Sequence, residues 1–142
     1  MREQLAKSIY LVIGVVSLVL GGLYLLSPTF MGYHAEAISR PWDALDASIQ
    51  ILILALMKVA GAGWMATGLA MLFGVWLSFP GGDRRWRWGI PLIGLMFYVP
   101  TSAVTLWVTL STPGTAPWYG SLFAVLLLVI GFCLNPANPL RR

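Results

Sequence analysis

The sequence predicts an all-α integral membrane protein, a four-helix bundle built as one domain over residues 1–142. Of the 142 residues, 58% are hydrophobic and only 10% are charged, whereas a soluble domain carries about 25% charged residues. The apolar residues also gather into four long runs, each near the roughly 20 residues that cross the hydrocarbon core of a bilayer. The predicted spans are residues 8–26, 50–79, 88–110 and 117–134.

The first span is predicted to be a retained helix rather than a signal peptide. Its apolar run is longer than the apolar region of a signal peptide, and no A-x-A-like cleavage site follows it. Helix breakers stand after three of the spans, at Pro28, at Pro80 to Gly82 and at Pro136. Three of the four predicted spans therefore end at helix breakers.

The charges of the connections predict how the spans are oriented. The N-terminus, the connection between spans two and three, and the C-terminus are basic, with Arg2, Lys7, Arg84, Arg85, Arg87, Arg141 and Arg142. The connection between spans one and two has one Arg40 against three acidic residues, and the connection between spans three and four has no charge. The positive-inside rule then predicts that both termini are cytoplasmic. We expect this N-in/C-in bundle in a bacterial cytoplasmic (inner) membrane.

The longest connection, the outer loop of residues 27–49, is expected to be partly helical. Pro41 and Asp43 are typical of a helix start, so the second span is expected to begin near residue 41 and to project beyond the membrane. The partly apolar stretch before Pro41 has two interpretations. It lies in the membrane interface, or it folds back over the bundle as a lid.

Lys58 is the one charged residue inside the long apolar runs. A charge at membrane depth is costly and is treated as a functional-site hypothesis. Three interpretations stay open. The side chain extends to the outer head groups and pairs there with acidic loop residues, it binds an anion or polar head group, or it acts as a proton carrier or base because burial favours its neutral form.

A polar stripe follows one face of the third span. Tyr98, Thr101, Ser102, Thr105 and Thr109 have helical spacing, and Pro100 among them removes a main-chain donor and is expected to kink the helix. The hydroxyls either bond to neighbouring helices and to their own main chain, or they form the polar wall of a cavity. Counting residues inward from the outer side places Lys58 and Thr105 in one layer. The predicted ligand-binding residues are Lys58, Tyr98, Thr101, Thr105 and Trp107.

Small residues are predicted to join spans one and two. Helices in lipid associate by close packing rather than by the hydrophobic effect, so small residues spaced by four mark contact faces. The predicted packing residues are Gly14, Ser17, Gly21, Gly63, Thr67 and Gly68. The alternative interpretation of these faces is a glycine-lined path for a ligand.

Composition excludes several classes of site. One cysteine, Cys133, allows no intrachain disulfide, and one histidine, His34, disfavours a metal site, so we predict no metal. The net charge of +4 lies mostly in arginines beside the spans, so we predict no nucleic-acid partner. His34 and Glu36 are interpreted as a solvated surface pair, with acid–base chemistry as the alternative.

The segment KVAGAGWMATGLAM, in the second of four spans, resembles the DoxX-like superfamily of small four-helix bacterial membrane proteins. Members often have a basic residue early in the second span, then a glycine, then a Gly-Leu pair. Lys58, Gly61, Gly68 and Leu69 occupy that pattern here, although the family often has Arg at the position of Lys58. The resemblance implies a four-span fold, and some members look like accessory subunits of membrane oxidoreductases that reduce quinone.

Two functions are carried forward from the sequence. The first is an accessory or assembly subunit of a larger membrane complex, because we find no catalytic constellation. The second is binding or transport of a lipid, quinone or small amphiphile in an outer-facing pocket near Lys58. An enzyme is disfavoured, and we predict no cofactor, although quinone or lipid remains a candidate ligand. The predicted partners are the lipid bilayer and either partner membrane subunits or further copies of the chain.

Overall fold

The computed structural model describes residues 1–78 and 85–134 as an all-α chain. The helices are α1 (Arg2–Leu26), α2 (Gly32–Ile38), α3 (Ala47–Ser78), α4 (Trp86–Ser111) and α5 (Trp118–Leu134), with a 3₁₀ turn at Trp42–Ala44. Some sequence predictions lie outside the described residues. They are the end of the second span at Phe79, the breakers at Pro80 to Gly82 and Pro136, and the basic residues Arg84, Arg141 and Arg142.

Three of the helices are long and apolar enough to cross a membrane. They are α1, α3 and α4, with 25, 32 and 26 residues, and α5 is a shorter apolar helix of 17 residues. The prediction of an all-α chain with helices able to span a membrane is confirmed. α1 begins six residues before the predicted span because Glu3, in its first turn, pairs with Arg87 of α4 at 2.9 Å. An acidic side chain there also favours the positive end of the helix dipole.

The four longer helices pack in a closed ring. α1 lies between α3 and α5, and α4 completes the ring by contacting the same two helices. The outward faces are apolar, and more than two-thirds of the surface of Ile51, Trp76 and Met96 is exposed. Apolar patches of this extent mark surfaces that meet a membrane or a partner. The exterior of the ring is therefore mostly apolar. The connections between the helices lie at the two ends of the ring.

The α1–α3 contact is the most extensive in the ring and depends on glycine. A Cβ on Gly21 would lie 2.9 Å from the main-chain oxygen of Gly61, and a Cβ on Gly68 would lie 2.8 Å from that of Gly14. These distances leave no room for a side chain, so the two main chains are in contact. Of the other predicted packing residues, Gly63 faces Phe97 of α4 instead, and Ser17 bonds across to α4.

The connection between α1 and α3 differs from the sequence expectation. Pro41 precedes the 3₁₀ turn and not a longer α3, because Leu45 adopts an extended conformation before α3 begins at Ala47. The Leu45 side chain is buried with Phe30 and Met57 in a small apolar cluster. Burying this leucine interrupts the helix that Pro41 and Asp43 were expected to start.

Candidate ligand cavity

The bundle divides along its length into two unlike halves. We call the half with the start of α1, the end of α3, the start of α4 and the end of α5 the packed half. It is filled by large side chains, of which Tyr10, Met71, Ile90 and Leu128 are fully buried. The opposite half, which contains the end of α1 and the start of α3, is called the hollow half. It contains a half-open cavity of about 1200 Å³, and lining residues such as Leu56 and Phe123 are also exposed on the exterior.

The cavity wall is contributed by all four long helices and by α2. Its lining is mostly aliphatic and aromatic, with hydroxyl groups at a few positions. Ligand sites are usually concave, mostly apolar and about 300–1,000 Å³, with a small number of placed polar groups. The cavity fits that description in its lining and is somewhat larger than this range.

An aromatic floor separates the cavity from the packed half. Trp64 of α3 meets Phe97 and Tyr98 of α4 edge to face, with ring centroids 4.8 and 5.2 Å apart. Tyr98 is only 2% exposed and its hydroxyl lies 2.8 Å from Ser17 Oγ of α1. Ser17 Oγ in turn donates to the Ile13 carbonyl at 2.8 Å. This floor therefore ties α1, α3 and α4 together at one level.

The hydroxyl stripe of α4 divides between the cavity and the α4 main chain. Tyr98, Thr101 and Thr105 line the cavity, whereas Ser102 and Thr109 do not. Both cavity threonines donate to carbonyls of their own helix at 2.7 Å, Thr101 to Phe97 and Thr105 to Thr101. The two interpretations of the stripe thus hold together, because hydroxyls that bond to their own helix also face the cavity.

The other two predicted ligand residues lie elsewhere. Neither Lys58 nor Trp107 lines the cavity, and Trp107 is 68% exposed on the outer face of α4. Lys58 is exposed on α3, and its Nζ donates to the Leu25 carbonyl at 2.7 Å. Leu25 lies in the last turn of α1, where carbonyls lack helical partners and the dipole favours a cation. The contacts of Lys58 thus match a structural role.

The short helix α2 lies across the end of the cavity opposite the aromatic floor. The cavity is lined from this side by Met31, Tyr33, His34, Ala37 and Ile38. The hydroxyls of Tyr33 and Tyr24 are hydrogen bonded, which ties α2 to the last turns of α1. Burial, and then this hydrogen bond, raise the pKa of Tyr33 well above its ordinary range, so the phenol stays neutral. The stretch before Pro41 therefore covers the bundle, as the lid interpretation expects.

A second attachment joins α2 to the connection between α4 and α5. The carboxylate of Glu36 accepts from the main-chain N–H and the hydroxyl of Thr115 at 3.3 and 3.2 Å. Beside it, a Cβ on Gly114 would lie 2.6 Å from the Tyr33 carbonyl oxygen. Glycine is required there because the main chains of α2 and of this connection are in contact.

His34 is the titratable histidine of this cover. Its Nδ1 accepts from the main-chain N–H of Met31 at 3.2 Å. Because Nδ1 is the acceptor, the neutral ring carries its proton on Nε2. Burial lowers the pKa of His34 below its ordinary 6.5 and favours that neutral form. The partner expected for an acid–base pair, Glu36, bonds to Thr115 instead.

The described lining of the cavity includes no Asp, Glu, Lys or Arg side chain. Within residues 1–78 and 85–134, no group of three His, Cys, Asp or Glu side chains is placed to hold a metal ion. Trp64 and Phe97 of the aromatic floor were not among the residues selected from the sequence, whereas Tyr98 was. Trp64 and Phe97 stand in apolar helices that contain many other aromatic residues, so their sequence carries no signal that separates them.

Comparison of the chain with family models, with curated proteins and with solved structures gives no match. The resemblance to the DoxX-like superfamily stays a prediction.

Proposed function

We propose that the chain is a membrane protein that binds or carries an uncharged amphiphile in the cavity of its hollow half. The observation that carries this proposal is the half-open, mostly apolar cavity of about 1200 Å³ between the four long helices. Protein interiors are close-packed and contain few voids larger than a water molecule. A space of this size in a bundle whose other half is filled is therefore best explained by an occupant.

The chemistry of the lining supports an uncharged occupant. A charged head group without a paired charge is costly in an apolar site. The described lining offers hydroxyl and aromatic groups and one neutral histidine, but no ion to pair with a charge. A neutral lipid or a quinone fits these conditions better than an anion bound by Lys58.

The proposal includes a position in the membrane. All four long helices cross a bacterial cytoplasmic membrane, with both termini inside, so that α2 and the cavity face the outer side. The apolar exterior of the ring supports the crossing, and the distribution of arginine and lysine supports the direction. The accessory-subunit function takes second place, because a subunit held only by its partners needs no cavity of its own.

Native mass spectrometry of the protein purified in mild detergent tests the proposal. Ala60→Phe adds a ring at the cavity wall of α3, since Ala60 lines it, and Ala66→Phe adds the same ring to an exposed position of α3 that does not. We expect a retained apolar molecule in the wild type and in Ala66→Phe, and lower occupancy in Ala60→Phe, since a ring at the wall takes space from the ligand. Equal occupancy in the two variants, or a bare wild type, would contradict the proposal.

A further inference from the structure

The hydroxyl groups of the cavity wall already donate their hydrogens to other groups of the protein. Thr101 and Thr105 donate to main-chain carbonyls of α4, and Ser121 donates to the Trp118 carbonyl at 2.9 Å. A serine or threonine hydroxyl has one hydrogen and two lone pairs. Once its hydrogen is used within the helix, each of these oxygens offers the cavity lone pairs alone.

Tyr98 belongs to the same set for a different reason. Ser17 Oγ has one hydrogen and lies 2.8 Å from both the Ile13 carbonyl and the Tyr98 hydroxyl. A carbonyl only accepts, so both bonds form when Ser17 donates to Ile13 and Tyr98 donates to Ser17. The Tyr98 oxygen then has no hydrogen left for the cavity. We call Tyr98, Thr101, Thr105 and Ser121 the acceptor band.

Pro100 adds an acceptor of another kind near the band. Proline lacks an N–H, so the carbonyl of Met96, one turn earlier, loses its usual helical donor. The hydrogens that the lining side chains still offer belong to Trp64 Nε1 of the aromatic floor, to His34 Nε2 and to whichever of Tyr24 and Tyr33 accepts in their mutual bond. The hydroxyls of the acceptor band therefore accept hydrogen bonds, whereas the donors lie in the floor and at the cover.

Resting on the proposed function, we propose that the ligand is an uncharged lipid whose head group carries a free hydroxyl, and that this hydroxyl donates to the acceptor band. In an apolar site a polar group without a partner is costly, so the band selects for a donor. A quinone has carbonyl acceptors and no donor, so it can pair with the donors of the floor and the cover but not with the band. The inference therefore separates a neutral lipid with a free hydroxyl from a quinone, which the cavity volume alone does not.

The test compares two probes that differ in their hydrogens. They are 1-monooleoylglycerol and its dimethyl ether, titrated into delipidated protein in mild detergent and measured by native mass spectrometry. We expect the wild type to prefer the alcohol by about tenfold, the equivalent of one hydrogen bond in an apolar site. Thr101→Val and Thr105→Val keep the branched shape but remove an acceptor, so each is expected to lower the preference severalfold.

Thr109→Val is the matched control. Thr109 lies on the same face of α4 and donates to a carbonyl four residues earlier, but it does not line the cavity. We expect this variant to keep the wild-type preference. The added methyl groups of the ether are also controlled, because a preference caused by size alone would persist in Thr101→Val and Thr105→Val.

The outcomes separate the two proposals. Equal binding of alcohol and ether by the wild type, or a preference that Thr109→Val lowers as much as Thr101→Val does, overturns the inference and leaves the proposed function standing. Failure of the wild type to bind either probe overturns the proposed function, and the inference falls with it. A preference that is lost only in the cavity variants supports both.

Discussion

The two halves of the bundle are built from the same four helices, but side chains fill the interior of one half and leave a cavity in the other. In the packed half, large side chains enter the space that glycines leave, as where Tyr10 of α1 lies against Gly131 of α5 and Ile90 of α4 against Gly74 of α3. In the hollow half, the same helices place hydroxyls and mixed apolar side chains around an open volume. The difference teaches that the ring is held together by one half and by the α1–α3 contact, which leaves the other half available for a ligand.

The attachments of the two halves differ in kind. Steric fit dominates the packed half, where a Cβ on Gly94 would lie 2.8 Å from Leu128 and one on Gly131 would lie 2.7 Å from Tyr10. Hydrogen bonds dominate the cover of the hollow half, through the Tyr24–Tyr33 pair and the contacts of Glu36 with Thr115. Packing of the first kind resists deformation. The Glu36–Thr115 hydrogen bonds are exposed and break at little cost, which suits a cover that admits a ligand.

A pair of glycines on α5 compares the halves directly and carries the largest expected effect. Gly131→Ala places a methyl group 2.7 Å from the fully buried ring of Tyr10, whereas Gly120→Ala meets nothing within 4 Å. We expect Gly131→Ala to lower the free energy of unfolding by about 1–3 kcal/mol, the usual cost of overpacking. Gly120→Ala is expected to be neutral or slightly stabilising, since alanine favours a helix.

Reversible unfolding in mixed micelles, followed by circular dichroism, measures both glycine variants. A similar loss of stability in Gly120→Ala would break the distinction between the halves. A Gly131→Ala protein as stable as the wild type would show that the packed half is looser than the contacts of Tyr10 indicate.

Lys58 separates stability from ligand binding in the hollow half, because it lies in that half without lining the cavity. Lys58→Met keeps the length of the side chain but removes the donor to the Leu25 carbonyl. We expect a loss of about 0.5–1.5 kcal/mol in the free energy of unfolding, from one hydrogen bond and its interaction with the end of α1. Lys58→Arg, which still donates, is expected to recover most of it.

The same lysine variants should leave binding unchanged. Native mass spectrometry is expected to find the same lipid occupancy in Lys58→Met as in the wild type, because the side chain is directed to α1. A loss of occupancy without a loss of stability would instead return Lys58 to the ligand site predicted from the sequence.

Acidification is expected to destabilise the cover and to leave the packed half unchanged. This effect is expected to be smaller than those of the glycine and lysine substitutions. The pKa of His34 is lowered by burial, so the docked α2 binds fewer protons than the undocked segment. Stability of the cover is therefore complete above the ordinary value of 6.5 and is lost as the pH falls below it. Protonation also removes the Nδ1 acceptor of the Met31 N–H.

Hydrogen exchange between pH 7.5 and 5.5, corrected for the intrinsic pH dependence of exchange, measures this loosening at the amides of α2. Protection is expected to fall there and to stay constant at buried amides around Met71 and Ile90. His34→Gln, which has no titrating ring, should give a flat profile. An α2 profile that falls equally in His34→Gln would assign the effect to another group.

The sequence predicts the helices well because the signal is local. Apolar runs and the breaker at Pro28 place α1, α4 and α5 to within a few residues of their observed bounds over the described chain, apart from the earlier start of α1. The α4 stripe could also be predicted, since helical spacing brings Thr101 and Thr105 to one face. The hydroxyl pattern therefore identifies one wall of the cavity before any fold is known.

The rest of the site could not be predicted because its contacts join distant main-chain atoms. Lys58 is charged and central, which favours a functional interpretation, but its partner is a carbonyl 33 residues earlier in the chain. The extended conformation of Leu45 depends on burial against Phe30 and Met57, which periodicity does not encode. Trp64 and Trp76 occupy one helix, yet Trp64 lines the cavity and Trp76 is 72% exposed.

Photocrosslinking in a bilayer tests most directly whether the hollow half holds a lipid. The wild-type protein, reconstituted with a diazirine-bearing monoacylglycerol, would be irradiated and its labelled residues mapped by mass spectrometry, with and without excess unlabelled lipid. The account predicts competable labelling of the cavity residues Trp64, Phe97 and Met57, beside non-competable labelling of outward residues such as Trp76 and Met96. Labelling confined to the outward residues, and unchanged by the competitor, would contradict it.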